Sequence, residues 1–341
     1  MEPYLTNVPP DVDEDRVGIS YSGGGPLLLI ELGIAQAFVD LKIVPVAIAG
    51  VSAGAIAGTA HALDPTGGAG IEAAAKALLT VSDHKLGLTK AEIVAKVLSS
   101  LLSAQKLPSG LGDNAPVHDM VEGAFKEVTG RPRLIVGDFG KDSRTKLYIG
   151  ATDRHQCERY WFPDSAEVAR ALVASSAIPG VFPPCRMTVS GNDGLFIDGG
   201  VAQNQPLSKL VLDEKCGTLY ACAVGYDGEA MRDPADALDN ALSSVSIITH
   251  ESSRLEQAYV ECKFAQAGKG NVYHIHPDGP FAITSFTFTE TLIREVIDLA
   301  CRQTKDWINQ QGWMPPTAPE AVPLTAVPVS SGERPNGGRL T

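Results

Sequence analysis

The sequence predicts an α/β fold built around a mainly parallel sheet. Two strand–turn–helix units follow one another near the N-terminus. Apolar runs at residues 17–21 and 46–49 each lead through a short glycine-containing turn into a helical pattern, at residues 28–41 and 53–63. Strands that alternate with helices in this way usually pair in parallel, because each helix returns the chain to the same end of the sheet.

The rest of the chain continues the alternation. Further strands are predicted at residues 146–153, 158–162, 195–197 and 218–225, and further helices at residues 166–175, 235–266 and 289–310. Between the two groups, after a loop at residues 64–70, come two more helical patterns. Thr89 and Glu92 form a capping-box signal for the second one. The region 70–112 is therefore either packed into the core or a helical cover over an apolar pocket.

Composition narrows the class of protein. The chain has 341 residues, of which 44% are hydrophobic and 20% are charged, as in ordinary globular proteins. Its net charge of −12 gives no general attraction to nucleic acid or to anionic membranes, so we expect no nucleic-acid partner. The sequence does not indicate an oligomeric state.

Several features bear on location. The six cysteines contain no C-x-x-C pair and are expected to be free thiols in a reducing compartment. The first 15 residues are acidic and proline-rich, unlike a secretory signal peptide. Residues 43–60 carry no charge, but Pro45, Gly50 and Gly54 interrupt them, so a membrane span is not expected. These features predict a protein that is cytoplasmic or peripheral at a membrane.

We divide the chain into three regions. Residues 1–15 form a polar lead-in, and residues 16–312 form a single domain. Residues 315–341 are rich in proline, serine and glycine and lack aromatic residues, which is typical of a disordered tail.

A candidate nucleophile lies in the second strand–turn–helix unit. Gly50, Ser52 and Gly54 form a G-x-S-x-G motif after an apolar strand and before a helix. A sharp turn there exposes the serine hydroxyl, and the helix N-terminus favours developing negative charge. A serine needs a base. Of the seven histidines, His250, His274 and His276 come late in the chain and could act as the base after an acidic residue, which is the chain order of α/β-hydrolases. None of the three lies in a recognisable catalytic motif.

A candidate acid lies at the end of a later strand. Asp198 ends the strand at 195–197, and Gly199 and Gly200 permit a tight turn directly after it. Asp-Gly is also common in ordinary turns. Its position at a strand end makes Asp198 a candidate for a functional carboxylate.

Three motifs together resemble those of the patatin-like phospholipases, lipid acyl hydrolases with a Ser–Asp dyad. The glycine loop of that family, G-G-G-x-[K/R]-G, is matched in part by GGGPLL at residues 23–28. Its G-x-S-x-G is matched in full at residues 50–54, and its D-G-[G/A] is matched by DGG at residues 198–200. Residues 174–184, ASSAIPGVFPP, and the later Asn204 and Pro206 also resemble the family. The resemblance extends from Val17 to about Leu207.

The resemblance implies a three-layer α/β/α fold, and it implies roles for individual residues. Ser52 would be the nucleophile and Asp198 its general base. The backbone N–H groups of Gly23, Gly24 and Gly25 would form the oxyanion hole. The substrate would be an ester of a phospholipid or related acyl lipid, met by transient contact with a membrane surface, and no cofactor or metal would be required.

The glycine loop departs from the family pattern at two positions. Leu27 replaces the basic residue, and Leu28 replaces the following glycine. The backbone donors remain, but a loop cation for an anionic head group is missing. A neutral or short-chain ester therefore becomes a more plausible substrate.

Three other functions remain open. The first is a Ser–His–Asp α/β-hydrolase that uses one of the late histidines. The second is a dinucleotide-binding protein, although Leu28 stands where G-x-G-x-x-G requires its third glycine. The third is a non-catalytic lipid-binding protein with the same fold. No H-E-x-x-H motif or cysteine pair indicates a metal site.

Overall fold

The computed structural model describes most of the chain. It covers residues 11–311 except 103–107, 143–144, 226–227, 229–230, 232, 235–236, 280, 282 and 284. The expected tail at residues 315–341 and the first ten residues of the lead-in lie outside the described residues.

One mixed sheet forms the centre of the described structure. Its strands are β1 (Asp13–Tyr21), β2 (Ala47–Val51), β3 (Lys146–Asp153), β4 (Glu158–Trp161), β5 (Cys185–Val189), β6 (Asn192–Ile197), β7 (Cys216–Cys222) and β8 (Asn271–Ile275). They are arranged in the order β5-β6-β3-β2-β1-β7-β8, and β4 pairs with β3 beside this path. The pairs from β3 to β8 along this order are parallel, whereas the pairs of β4, β5 and β6 are antiparallel.

Helices cover both faces of the sheet. They are α1 (Leu28–Asp40), α2 (Ala53–Leu63), α3 (Ala69–Leu78), α4 (Lys90–Leu102), α5 (Ala115–Thr129), α6 (Val136–Asp142), α7 (Val168–Ser175), α8 (Leu207–Glu214), α9 (Ala237–Ala267) and α10 (Glu290–Gln310). Successive strand residues point to opposite faces. In β2, Ile48 packs into the core that α1, α2 and α10 share, whereas Ala47 and Ala49 pack against α8 and α9. This confirms the predicted three-layer α/β/α fold with a mainly parallel sheet.

The predicted elements are found with shifted ends. The strand β1 begins at Asp13, so it includes three residues assigned to the lead-in, and β7 ends at Cys222 rather than at residue 225. The capping box at the start of α4 is present: Glu92 N–H donates to Thr89 Oγ1 and Thr89 N–H donates to Glu92 Oε2. Helices α5, α6 and α8 and strands β5 and β8 were not predicted.

The region considered as a cover divides into two parts. Helix α3 packs into the core, where Ile71 and Leu78 are buried. Helix α4 is more exposed to solvent, and Val94 is 62% exposed.

Among the residues that the structure describes, no helix has both the length and the apolar character needed to span a bilayer.

The parallel register places two loops together. Tyr21, the last residue of β1, lies opposite Gly50 of β2. The glycine loop after β1 and the turn after β2 therefore leave the sheet at the same edge. This is the edge where α/β proteins usually carry their sites, because loops from neighbouring strands converge there.

Candidate active site

Ser52 lies in a sharp turn between β2 and α2. Its backbone has φ 53° and ψ −128°, and a positive φ is rare outside glycine. Gly50 and Gly54 have no room for a side chain, because the backbone of the turn and of β1 lies too close. A Cβ atom at Gly50 would lie 2.4 Å from the carbonyl oxygen of Gly54, and one at Gly54 would lie 2.3 Å from that of Ser22. The strained turn is therefore held by close packing against the end of β1.

A hydrogen bond joins Ser52 to Asp198. Ser52 Oγ donates to Asp198 Oδ2 over 2.6 Å, and both side chains are buried. The backbone of the serine is also fixed, because its N–H donates to Ser175 Oγ over 2.8 Å. Ser175 Oγ in turn donates to the carbonyl oxygen of Gly150 on β3. The sequence analysis did not identify Ser175, which lies 123 residues from Ser52.

Asp198 is held from several sides at the end of β6. Its Oδ1 accepts the N–H of Gly200 over 2.8 Å, in the 3₁₀ turn Gly199–Val201. Its backbone carbonyl accepts the hydroxyl of Thr152 over 2.9 Å. Burial raises the pKa of the carboxyl group from 3.8 to about 6, and the hydrogen bonds from Ser52 and Gly200 offset part of that rise. The carboxylate is therefore a stronger base than an exposed aspartate.

The glycine loop lies beside Ser52, and the N–H group of its first glycine already donates a hydrogen bond. Gly23 N–H donates to Asn204 Oδ1 over 3.0 Å. Gly24 and Gly25 stand at the start of the 3₁₀ turn Gly25–Leu27, where a helical turn leaves its own N–H groups without an internal acceptor. All three glycines line the same cavity as Ser52 and Asp198. The structure thus brings together the five residues that the sequence singled out.

Asn204 connects the glycine loop to α9. While its Oδ1 accepts from Gly23, its Nδ2 donates to Ser253 Oγ on α9 over 3.1 Å. Its backbone N–H donates to Ser252 Oγ over 3.3 Å. The sequence analysis noted Asn204 only as part of a resemblance. Its partner Gly23 lies 181 residues away, so local pattern gave no signal for the contact.

Comparison with known proteins identifies the family of the chain. The family model for patatin-like phospholipase matches residues 19–211, more than half of the chain. The chain belongs to the patatin-like phospholipase family. No curated protein matches its sequence significantly. Among solved structures, VipD from Legionella pneumophila is similar at 16% identity with a TM-score of 0.39, over 87% of this chain and 67% of that one.

Two cavities meet at Ser52 in this patatin-like domain. The larger has a volume of about 880 Å³, and Asp198 is the one carboxylate among its described lining residues. Basic and imidazole side chains line its outer part, namely Arg254, His250, His274 and His276. The smaller has a volume of about 50 Å³ and an apolar lining. Ser52, Gly25 and Ile178 border both cavities.

The histidines considered as catalytic partners have other contacts. His274 Nε2 lies 2.8 Å from Glu261 Oε1, and His276 Nδ1 donates to the carbonyl oxygen of Ala223. His61 is buried and hydrogen bonded to Tyr21 Oη, and burial lowers its pKa to about 3. His250 lines the larger cavity. For the residues that the structure describes, the hydrogen-bond partner of Ser52 Oγ is Asp198.

One cluster has the composition of a metal site. His118, Glu122 and Glu167 are half-buried and place one ligand atom each within 4.8 Å of one another. Arg133 Nε also lies 3.3 Å from Glu122 Oε1, so a cation already neutralises part of the cluster. None of these residues lines either cavity at Ser52.

Proposed function

We propose that this member of the family is a serine lipid acyl hydrolase. It would cleave carboxylic esters of phospholipids or related acyl lipids through an acyl-enzyme on Ser52. The observation that carries the proposal is the 2.6 Å hydrogen bond from Ser52 Oγ to the buried carboxylate of Asp198. It supplies a nucleophile with an adjacent base, which a serine requires in order to attack an ester.

Asp198 acts as the general base. Its pKa of about 6 leaves it mostly ionised at neutral pH, yet basic enough to accept a proton in the transition state. The second oxygen of the carboxylate remains bound to Gly200 N–H, which fixes its orientation. No histidine is needed as an intermediary.

The proton moves in four steps. Ser52 Oγ attacks the ester carbonyl carbon while its proton passes to Asp198 Oδ2. The tetrahedral intermediate collapses, and Asp198 gives that proton to the departing alcohol oxygen. Water then attacks the acyl-enzyme while Asp198 accepts one of its protons. Asp198 returns this proton to Ser52 Oγ as the fatty acid leaves.

The oxyanion is stabilised by the glycine loop. The N–H groups of Gly24 and Gly25 are the donors best placed for this role. Gly23 N–H would join them on release from Asn204, and otherwise it fixes the loop. Loss of one oxyanion donor typically slows such reactions by about 10²–10³-fold.

The two cavities would bind different parts of the substrate. The apolar cavity takes the acyl chain, and the larger one takes the alcohol part of the ester. Arg254 on α9 supplies a positive charge there, although it also lies 3.4 Å from Glu251. It offers a cation that Leu27 does not provide on the glycine loop. The substrate is met by transient contact with a membrane surface, and the location is cytoplasmic or membrane-peripheral.

An ester panel tests the proposed activity. The wild-type protein should hydrolyse p-nitrophenyl esters and at least one phospholipid or lysophospholipid. Ser52→Ala should lose this hydrolysis and also lose labelling by a fluorophosphonate probe. Hydrolysis that persists in Ser52→Ala would refute the proposal.

Two alternatives predict other results. A Ser–His–Asp hydrolase would depend on His250, His274 or His276, which all line the cavity, so an alanine substitution at one of these histidines would abolish activity. A non-catalytic lipid-binding protein would bind lipid but neither hydrolyse it nor react with the probe. We expect His250→Ala to retain turnover of a neutral ester and the wild-type protein to be labelled.

A further inference from the structure

The small apolar cavity begins at the reacting groups. Ser52 and Gly25 form its mouth, and side chains such as Leu28, Val81 and Phe182 form its walls. Its lining contains no charged residue. An acyl chain attached to Ser52 would leave water by entering it, which is favourable for each methylene buried. This inference rests on the proposed hydrolase function.

The volume of the cavity limits the length of that chain. A cavity needs about 10–15 Å³ of volume to hold one water molecule. The volume of about 50 Å³ therefore has room for only a few water-sized groups, and a methylene group is close to a water molecule in size. We therefore expect the cavity to accommodate a short chain, of about four to six carbons counting the carbonyl.

A second apolar cavity lies directly beyond the first. It has a volume of about 20 Å³ and lies between α2, α3 and α5. Small side chains line it, including Ala60, Ala74 and Ala124. Met120 and Ile56 are the residues common to the linings of both cavities. These two side chains therefore form the partition between them.

We propose that Met120 and Ile56 form the floor of the acyl site and give the enzyme a preference for short acyl chains. Met120 is buried on α5, and Ile56 faces it from α2, the helix that follows Ser52. Methionine is unbranched and fills irregular space, so its side chain can close a narrow channel. Its removal would join the two cavities into one longer channel.

The test is an acyl-chain profile. The kcat/KM values are measured for p-nitrophenyl butyrate, hexanoate, octanoate, decanoate and dodecanoate. For the wild-type enzyme we expect a maximum at butyrate or hexanoate. Met120→Ala removes three heavy atoms and opens the lower cavity, so the maximum should move to octanoate or decanoate. Each added methylene that is newly buried should raise kcat/KM about fourfold. The ratio of decanoate to butyrate should therefore rise at least tenfold.

Two controls separate this role from general loosening of the core. Met187 is also a buried methionine, but it lines neither cavity, so Met187→Ala should keep the wild-type profile. Met120→Leu conserves volume and should keep it too. Should Met120→Ala fail to fold by circular dichroism, Ile56→Val removes one methyl group from the same floor. It should lengthen the site by about one carbon, which this even-numbered panel registers as a rise of about fourfold in the ratio of kcat/KM for octanoate to that for butyrate.

The outcomes distinguish this inference from the proposed function. A wild-type profile that rises continuously to dodecanoate would overturn the inference. So would a folded Met120→Ala variant with an unchanged profile, or, where that variant does not fold, an unchanged profile for Ile56→Val. Either result would leave the hydrolase intact, provided that Ser52→Ala is inactive. Absence of hydrolysis in the wild-type protein would instead refute the proposed function itself.

Discussion

The proposed role of Asp198 as general base predicts a specific pH dependence of the activity. With a pKa of about 6, the carboxylate is ionised in about nine molecules of ten at pH 7 and in about one of ten at pH 5. Because only the ionised form accepts the serine proton, kcat/KM should rise about tenfold per pH unit below 6 and level off above 7. A neutral, soluble ester such as p-nitrophenyl butyrate is the suitable substrate, since its own charge does not change in this range.

The Asp198→Asn substitution measures how much general base catalysis contributes to kcat. Asp198→Asn keeps the size of the side chain and an oxygen for Gly200 N–H, but removes the basic group. General base catalysis contributes about 10²–10⁴-fold, so kcat should fall by that factor. Asp153 is the matched control. It is also buried, and its Oδ1 accepts the N–H of His155 in a turn, so Asp153→Asn should leave kcat within a few fold.

Asp198→Asn should lower kcat, but it should raise the stability of the folded protein at alkaline pH. A folded-state pKa of about 6 against an ordinary value of 3.8 means that the folded protein binds the proton more tightly. The contribution of this group to stability is therefore full below about pH 3.8 and is lost as the pH rises through 6, by up to about 3 kcal/mol. Asp198→Asn does not ionise, so at pH 8 it should be more stable than the wild type by up to that amount in urea unfolding. Near-wild-type kcat in Asp198→Asn, or a pH profile flat from 5 to 7, would refute the reasoning.

Three further predictions follow from neighbouring contacts. Asn204→Ala removes the acceptor of Gly23 N–H, and kcat should fall about tenfold with little change in KM, because one hydrogen bond that positions the loop is lost. Arg254→Gln should raise KM about fivefold for a monoacylglycerol phosphate but not for the matched monoacylglycerol, as measured by fatty acid release. Glu31 is buried, neither carboxyl oxygen has a partner among the described residues, and burial raises its pKa well above 4.5. Glu31→Met should therefore raise the free energy of unfolding by about 1–3 kcal/mol, and it should weaken the loss of stability as the pH rises above 4.5.

Each of these has a result that would contradict it. For Asn204, a large rise in KM with unchanged kcat would indicate substrate contact instead of loop positioning. For Arg254, the control is Arg294→Gln on α10, another exposed arginine paired with a glutamate, and equal effects of the two variants would exclude a specific role. For Glu31, a loss of stability in Glu31→Met would mean that the carboxyl group has a favourable partner after all.

The sequence was sufficient to predict turns and helices whose shape depends on residues close together in the chain. The turn at Ser52 was predictable because Gly50 is required by its contact with Gly54 inside the same turn. The bounds of α2 were predicted correctly, since residues 53–63 are rich in alanine and contain neither proline nor an acidic residue. Helix α5 was missed, because Pro116 and Gly123 weaken its helical pattern, although Pro116 lies in the first turn, where proline is tolerated.

Contacts between distant segments could not be predicted in this way. Ser175 supports Ser52 across 123 residues, and Asn204 supports Gly23 across 181. The apolar cavity combines side chains from α1, α2, α5 and the segments around Leu86 and Phe286. Periodicity identifies which face of a helix is apolar, but it does not identify which other helix lies opposite.

The position of Asn204 has a consequence for inhibition. One amide group ties the glycine loop to Ser253, in the stretch of α9 that also carries His250 and Arg254. A compound that displaces this part of α9 would also remove the support of the loop. Such a compound would slow turnover without occupying the place of the acyl chain.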